Sequence, residues 1–218
     1  MASEENMPSK PFQFLDLAPE LRHKIYILIV TSPHPPIDLS STYISPHTHF
    51  PHALLLTCTQ IYHELRPLYF TKNAFSITIL RRNDSWSHIL TPTFLDNRRQ
   101  IRSLRILITR WGTRNFFCRS LIPALEDCIL NGRLRELEVM VRDGGDVGAL
   151  NESRWEHENW VQLKSVLRDP YLERATLKAG RFTIKKNDIE GQGWELDKWT
   201  DLSFLLESAR VETSIKVI

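Results

Sequence analysis

The run Ile101-Arg-Ser-Leu-Arg-Ile-Leu-Ile108 decides how the chain is read. Leu104 and Ile106 alternate with Ser103, Arg105 and Leu107, a period of two that turns one row of side chains toward a core and the other away from it. The pattern returns in Leu134-Arg-Glu-Leu-Glu-Val-Met-Val141 and, with weaker contrast, in Leu172-Glu-Arg-Ala-Thr-Leu-Lys-Ala179. Aligned, Leu104 and Ile106 fall on Leu137 and Val139, and these on Ala175 and Leu177, at offsets of 33 and 38 residues. A further run lies upstream, where Phe75, Ile77 and Ile79 alternate with Ser76, Thr78 and Leu80.

Helical spacing fills the intervals. Phe116, Phe117, Ser120, Leu121, Ala124, Leu125, Cys128 and Ile129 make a broad apolar face, and Asn131-Gly132 is expected to end it as a left-handed cap. Trp160, Leu163, Val166 and Leu167 make a shorter face that stops at Asp169-Pro170, and Trp86 to Leu95 makes a weaker one cut by Pro92. Strand and helix alternating at this spacing predict an α/β fold of parallel strands joined by crossovers. The other strand face carries Ser103, Arg105 and Leu107, then Glu136, Glu138 and Met140, then Arg174, Thr176 and Lys178, too polar for a sheet buried between two helix layers. The expectation is an open, mostly parallel sheet of leucine-rich-repeat-like β-α units with helices on one face. In that register Arg105 stands beside Glu138, a cross-strand pair worth about 0.2–1 kcal/mol. The open face would offer Arg105, Leu107, Glu138, Met140, Thr176 and Lys178 to a client protein. Trp199, Leu202, Leu205, Leu206 and Ala209 recur at helical spacing with Asp197 able to cap them, so Trp194 to Ile218 reads as a helix closing the last strand.

Before the first strand the period is helical. Leu17, Leu21, Ile25, Leu28 and Ile29 recur at that spacing, with Pro19 suited to the first helical position and Glu20 beside the positive end of the helix dipole. Leu54, Cys58, Ile61, Leu65 and Leu68 form a second face, and Pro67 is expected to break it, because proline lacks an amide hydrogen and strikes the carbonyl four residues back. Between the two, residues 32–51 are rich in Pro and Ser and read as a loop.

Glu20-Leu21-Arg22 and Ile25-Tyr26, taken with Thr57-Cys58-Thr59-Gln60-Ile61 and Asn73-Ala74-Phe75, resemble the F-box-like domain that heads many proteins of filamentous fungi. Ala18 stands where that pattern usually has a proline, and the insert between the helices is long. The resemblance implies an adaptor whose helices dock a Skp-family linker protein of a cullin-type ubiquitin ligase while the remainder holds a client. On that reading Leu17, Pro19, Leu21, Ile25 and Leu28 are the docking residues. Ile25-Tyr-Ile-Leu-Ile-Val30 is apolar around the whole helix, which leaves one side for another protein. The implied division is a loose tail at 1–11, an F-box-like helical module at 12–74, and a β/α domain at 75–218.

Composition excludes more than it assigns. A chain with 42% hydrophobic and 25% charged residues is an ordinary globular one. No apolar run approaches the ~18 residues of a membrane span. The polar start Met1-Ala-Ser-Glu-Glu-Asn6 is unlike a signal peptide, which points to cytoplasm or nucleus. Cys58, Cys118 and Cys128 are odd in number without Cys-x-x-Cys spacing and read as thiols buried on helical apolar faces. His47, His49 and His52 match no metal-ligand spacing. Residues 81–119 hold nine arginines against Asp84 and Asp96, a basic belt unaccompanied by any nucleic-acid motif. Asp143-Gly-Gly-Asp-Val-Gly148 lacks the lysine and helix start of a phosphate loop, and no nucleophile elbow, metalloprotease helix or dinucleotide fingerprint occurs. His157, between two glutamates, has no orienting partner. Trp111 and Trp155, at strand or loop ends, are candidates for contact with a partner. The chain therefore reads as a non-enzymatic interaction protein without cofactor or metal. A stand-alone scaffold that self-associates through its helical end is the alternative.

Overall fold

The computed structural model describes residues 12–33, 36–39, 50–80, 87–110, 116–142, 158–187 and 191–207. Six strands form one sheet in chain order: β1 (Ile37–Asp38), β2 (Ala74–Ile79), β3 (Ser103–Ile108), β4 (Glu136–Arg142), β5 (Arg174–Asn187) and β6 (Gly191–Asp201). β1 to β5 run parallel, and β6 returns antiparallel to β5. The helices are α1 (Pro19–Val30), α2 (His52–Leu55), α3 (Thr59–Lys72), α4 (Leu95–Gln100), α5 (Ile122–Leu130), α6 (Glu158–Leu167) and α7 (Phe204–Glu207). A π-helical turn, Phe117–Leu121, leads into α5. α1 packs on α3, α3 on α4, α4 on α5 and α5 on α6, so the helices line up in the order of the strands.

The register is the one the alternation predicts. Leu104 pairs with Leu137 and Leu137 with Ala175; Ile106 pairs with Val139 and Val139 with Leu177. Phe75, Ile106, Val139 and Leu177 are fully buried, and they join Tyr26, Leu65, Leu125 and Leu163 of the helices in one apolar cluster. Each such side chain contributes roughly 1.5–3 kcal/mol by leaving water. The cluster runs across the expected boundary at residue 74 without a gap, since Tyr26, Val30 and Phe70 belong to it together with the strands.

Several local expectations are corrected. Residues 191–201 form β6 where a closing helix was expected, and the only helix described after it is the four-residue α7. The misleading signal has a physical source. The β5–β6 ladder pairs Arg181 with Lys198 but Phe182 with Leu196, so Asp197 is an extra residue that shifts the two-residue period. Trp194 and Leu196 therefore alternate on one side of the bulge, while Trp199, Leu202 and Leu206 mimic a helical spacing on the other. The remainder of the expected helix, from residue 208, lies outside the described residues.

α3 runs through Pro67 to Lys72 instead of breaking there. The proline costs ~3 kcal/mol, and burial of Leu65, Tyr69 and Phe70 around it outweighs that. The break falls earlier, between α2 and α3, where the Cys58 thiol caps α3 by accepting from the Ile61 amide at 3.5 Å. Cys58 is thus a half-buried cap that packs against the core, where a buried thiol on a helix face was expected. Neither Asn131 (φ −104°, ψ −5°) nor Gly132 after it adopts a positive φ, so no left-handed cap ends α5 there. Gly132 serves close approach instead: a Cβ there would lie 2.5 Å from the Cys128 carbonyl oxygen and 2.8 Å from that of Arg99. Within the expected 32–51 loop, Ile37 and Asp38 pair with Phe75 and Ser76 as the edge strand β1. His47, His49, Trp86, Trp111, Trp155, His157 and the 143–148 glycine-rich segment lie outside the described residues.

Candidate protein-interaction surfaces

α1 begins at Pro19, whose missing amide hydrogen falls where no helical hydrogen bond is needed. It buries the stripe Arg22, Tyr26 and Val30, spaced four apart, against the rest of the molecule. Arg22 is the unusual member, only 6% exposed, and its charge is fully engaged. Its Nε and Nη2 donate to the Glu64 carboxylate of α3 at 3.1 and 2.7 Å, and its Nη1 donates to the carbonyls of Leu15 and Leu17 at 3.0 and 2.6 Å. Gln60 donates to the same carboxylate at 3.1 Å. The hydrogen bond from Arg22 is the main reason that Glu64 titrates far below the carboxylate range, at about 2. Burial, with Glu64 beside it, pushes the Tyr26 phenol up to about 12. One guanidinium therefore ties together the N-terminal turn, α1 and α3.

The far end of α1 is held by Asn73. Its amide nitrogen donates to the carbonyls of Val30 and Tyr69, both at 2.8 Å, and its amide oxygen accepts from the Ser32 backbone at 2.8 Å. Phe75, two residues on, is fully buried. Arg22, Tyr26, Ile61, Asn73 and Phe75, all of which carry the motif read from sequence, face inward and hold α1, α3 and β2 together.

With its core stripe filled, α1 turns other apolar residues outward. Leu28 is 82% exposed and Leu21 48%, with Ile25 and Ile29 each more than a third exposed. Pro19 is exposed and Leu17 half-buried. Four of the five expected docking residues thus lie on open surface, and Ile29 adds to them. The polar positions Glu20, His23 and Lys24 are also exposed and occupy the remaining side of the helix. Such an apolar stripe on an otherwise satisfied helix is the usual mark of an interaction face.

The expected client face is organised differently from its sequence reading. Glu138 accepts from Arg105 Nε at 2.5 Å and from Lys178 Nζ at 2.6 Å, linking three adjacent strands. Burial pushes the Glu138 carboxyl up, but the hydrogen bonds from Lys178 and Arg105 outweigh it, so it titrates below its ordinary value. Arg105, Glu138, Thr176 and Lys178 are all half-buried. Leu107 and Met140 are not available as surface: they are 8% and 5% exposed, and with Thr78 they form a covered row across β2, β3 and β4. The face is polar and partly accessible toward the strand starts and closed toward the strand ends.

The basic belt is largely neutralised where it is described. Asp127 accepts from Arg98 and Arg99, Glu173 from Arg102 and Glu138 from Arg105. The Asp127 carboxyl is held well below the carboxylate range, chiefly by Arg99, with Asn131 and Arg98 adding to it. A cavity of about 30 Å³ lies between the sheet and α4–α5, lined by Ile77, Ile101, Leu104, Leu121, Leu125 and Cys128 among others. It has room for about one water molecule and an apolar wall that would not hold it. Among the described residues no group of His, Cys, Asp or Glu is arranged to hold a metal ion, and no helix is long and apolar enough to cross a membrane.

The chain is thus an α/β protein built on a mostly parallel six-stranded sheet. No protein-family model, curated protein or solved structure matches it.

Proposed function

We propose that the chain is a non-enzymatic interaction adaptor, with α1 docking a Skp-family linker protein of a cullin-type ubiquitin ligase and the β-α units holding a client. In this reading the helices of 12–74 act as an F-box-like module, and the helix–strand units after them act as leucine-rich-repeat-like elements. The observation that carries it is the outward apolar stripe Leu21, Ile25, Leu28 and Ile29 on a helix whose inner side is already satisfied by Arg22, Tyr26 and Val30. Four aliphatic side chains that the fold leaves between 36% and 82% exposed favour further burial against a partner, at ~25 cal/mol for each Å² covered. The test is co-expression with a fungal Skp-family protein and capture through the latter. Co-purification is expected and should be lost in Leu21→Asp and Leu28→Asp chains that retain the parental circular dichroism. Absence of co-purification, or capture indifferent to both substitutions, removes the ligase role.

A stand-alone, self-associating scaffold is the second reading. It is favoured by the inward placement of Arg22, Ile61 and Asn73, because the motif shared with F-box-like domains then serves packing and carries no docking requirement of its own. A homodimer through α1 would cover the same stripe. Light scattering separates the two: a dimer dispersed by Leu28→Asp supports the scaffold, a monomer supports the adaptor.

A further inference from the structure

The loops that enter β3, β4 and β5 are laced together at one end of the sheet. The Arg133 amide donates to the Arg99 carbonyl at 2.8 Å, the Arg135 amide to that of Arg102 at 3.0 Å, and the Arg174 amide to that of Arg135 at 3.0 Å. The Arg102 side chain reaches Glu173 across the same end, at 2.7 Å. This rim carries exposed Arg133 and Arg174; among the described residues neither forms an ion pair, and Glu136 stands opposite Arg174 in the β4–β5 register. Two large apolar side chains lie open, one three residues before each of them in the chain, Leu130 at 61% and Tyr171 at 62% exposure. The acids on the rim are Glu136, Asp169 and Glu173, and Glu173 is already engaged. Two guanidinium groups without an ion pair among the described residues, on a rim that also exposes an aromatic and a leucine, make the composition that protein-binding patches favour.

We infer that this strand-entry rim binds an extended peptide segment in which carboxylates alternate with apolar residues. Arg133 and Arg174 take the carboxylates in forked hydrogen bonds, while Leu130 and Tyr171 receive the apolar side chains. A nucleic-acid backbone fits less well, because its phosphates are evenly spaced and offer nothing apolar to Leu130, whereas the carboxylates of a peptide can be spaced to avoid Glu136 and Asp169. The inference deepens the adaptor reading by naming the chemistry of the client, and it moves the client from the sheet face, where Arg105 and Lys178 are already committed to Glu138, to the rim.

Selection from a random 12-residue peptide library on the immobilised chain tests it. The enriched peptides should be acidic with interspersed apolar residues. By fluorescence anisotropy the best of them should lose about tenfold in affinity to Arg133→Glu/Arg174→Glu and weaken as salt is raised. Arg110→Glu, beyond the opposite end of β3, should leave it unchanged. Enriched peptides without acidic character, binding indifferent to the double reversal, no enrichment at all, or tighter binding of a single-stranded RNA dodecamer at the same arginines would each overturn it. Both arginines are exposed, so circular dichroism of the variant is expected to match the parent. Skp-family capture through α1 is read separately with Leu28→Asp, so loss of the peptide result leaves that docking intact and the reverse holds as well.

Discussion

Replacing Glu64 with glutamine leaves the Arg22 guanidinium almost fully buried and removes the carboxylate that takes two of its four hydrogen bonds. The bonds to the Leu15 and Leu17 carbonyls remain. The drop of the Glu64 carboxyl from its ordinary 4.5 to about 2 corresponds to about 3 kcal/mol before solvent screening. Glu64 is 31% exposed, which brings the expected loss to about 2 kcal/mol. The sign follows from the direction of the shift. Folding depresses this carboxyl, so its contribution is complete above the unfolded value near 4.5 and is lost as the pH falls toward about 2. Urea unfolding followed by tryptophan fluorescence should therefore place Glu64→Gln about 2 kcal/mol below the parent at pH 7, with the gap closing as the pH falls from 4.5 toward 2. A gap under about 0.5 kcal/mol at pH 7, or one independent of pH, would refute the assignment of Arg22–Glu64 as the staple between α1 and α3.

Other consequences are simpler. Gly132→Ala drives a methyl group into the Cys128 and Arg99 carbonyls and should lower unfolding free energy by roughly 2–3 kcal/mol; a neutral effect in urea titration would show that the 131–135 turn yields. Burial pushes the Cys128 thiol up to about 11, so iodoacetamide should spare it in the native chain and modify it in urea, as peptide mass mapping would read. Leu28→Asp changes a side chain that is 82% exposed and should shift stability by no more than about 0.5 kcal/mol, whereas Leu163→Ala, at a fully buried position, should cost about 2–5 kcal/mol in the same assay.

The sheet was legible because its signal is local and repeated. Period-two alternation set the parity of β2, β3, β4 and β5, and the recurrence of Leu104 at Leu137 and Ala175 set the register, including the Arg105–Glu138 pair. The misreadings came where tertiary packing or one inserted residue overrides a local rule. Pro67 survives inside α3 because its neighbours are buried, and Asp197 hides β6 by interrupting its period. Leu107 and Met140 continue the outward parity and yet are covered, which alternation alone could not reveal. In α1 the apolar residues were legible but their allocation was not. Six apolar residues in succession do not say which face the core takes, and the core takes the side holding a charged residue, Arg22, because Glu64 of α3 waits there for it. The rim left no mark in the sequence, since the turns that carry Arg133 and Arg174 share one end of the sheet only when β4 and β5 pair.

Titration calorimetry of the chain with a Skp-family protein, run at several temperatures, addresses the role of α1 most directly. If the stripe Leu21, Ile25, Leu28 and Ile29 is a docking face, binding should be one to one with a negative heat-capacity change from the apolar area covered, and Leu28→Asp should abolish it without lowering the melting temperature. Absence of heat at any temperature, or an isotherm that Leu28→Asp leaves unaltered, would contradict that role.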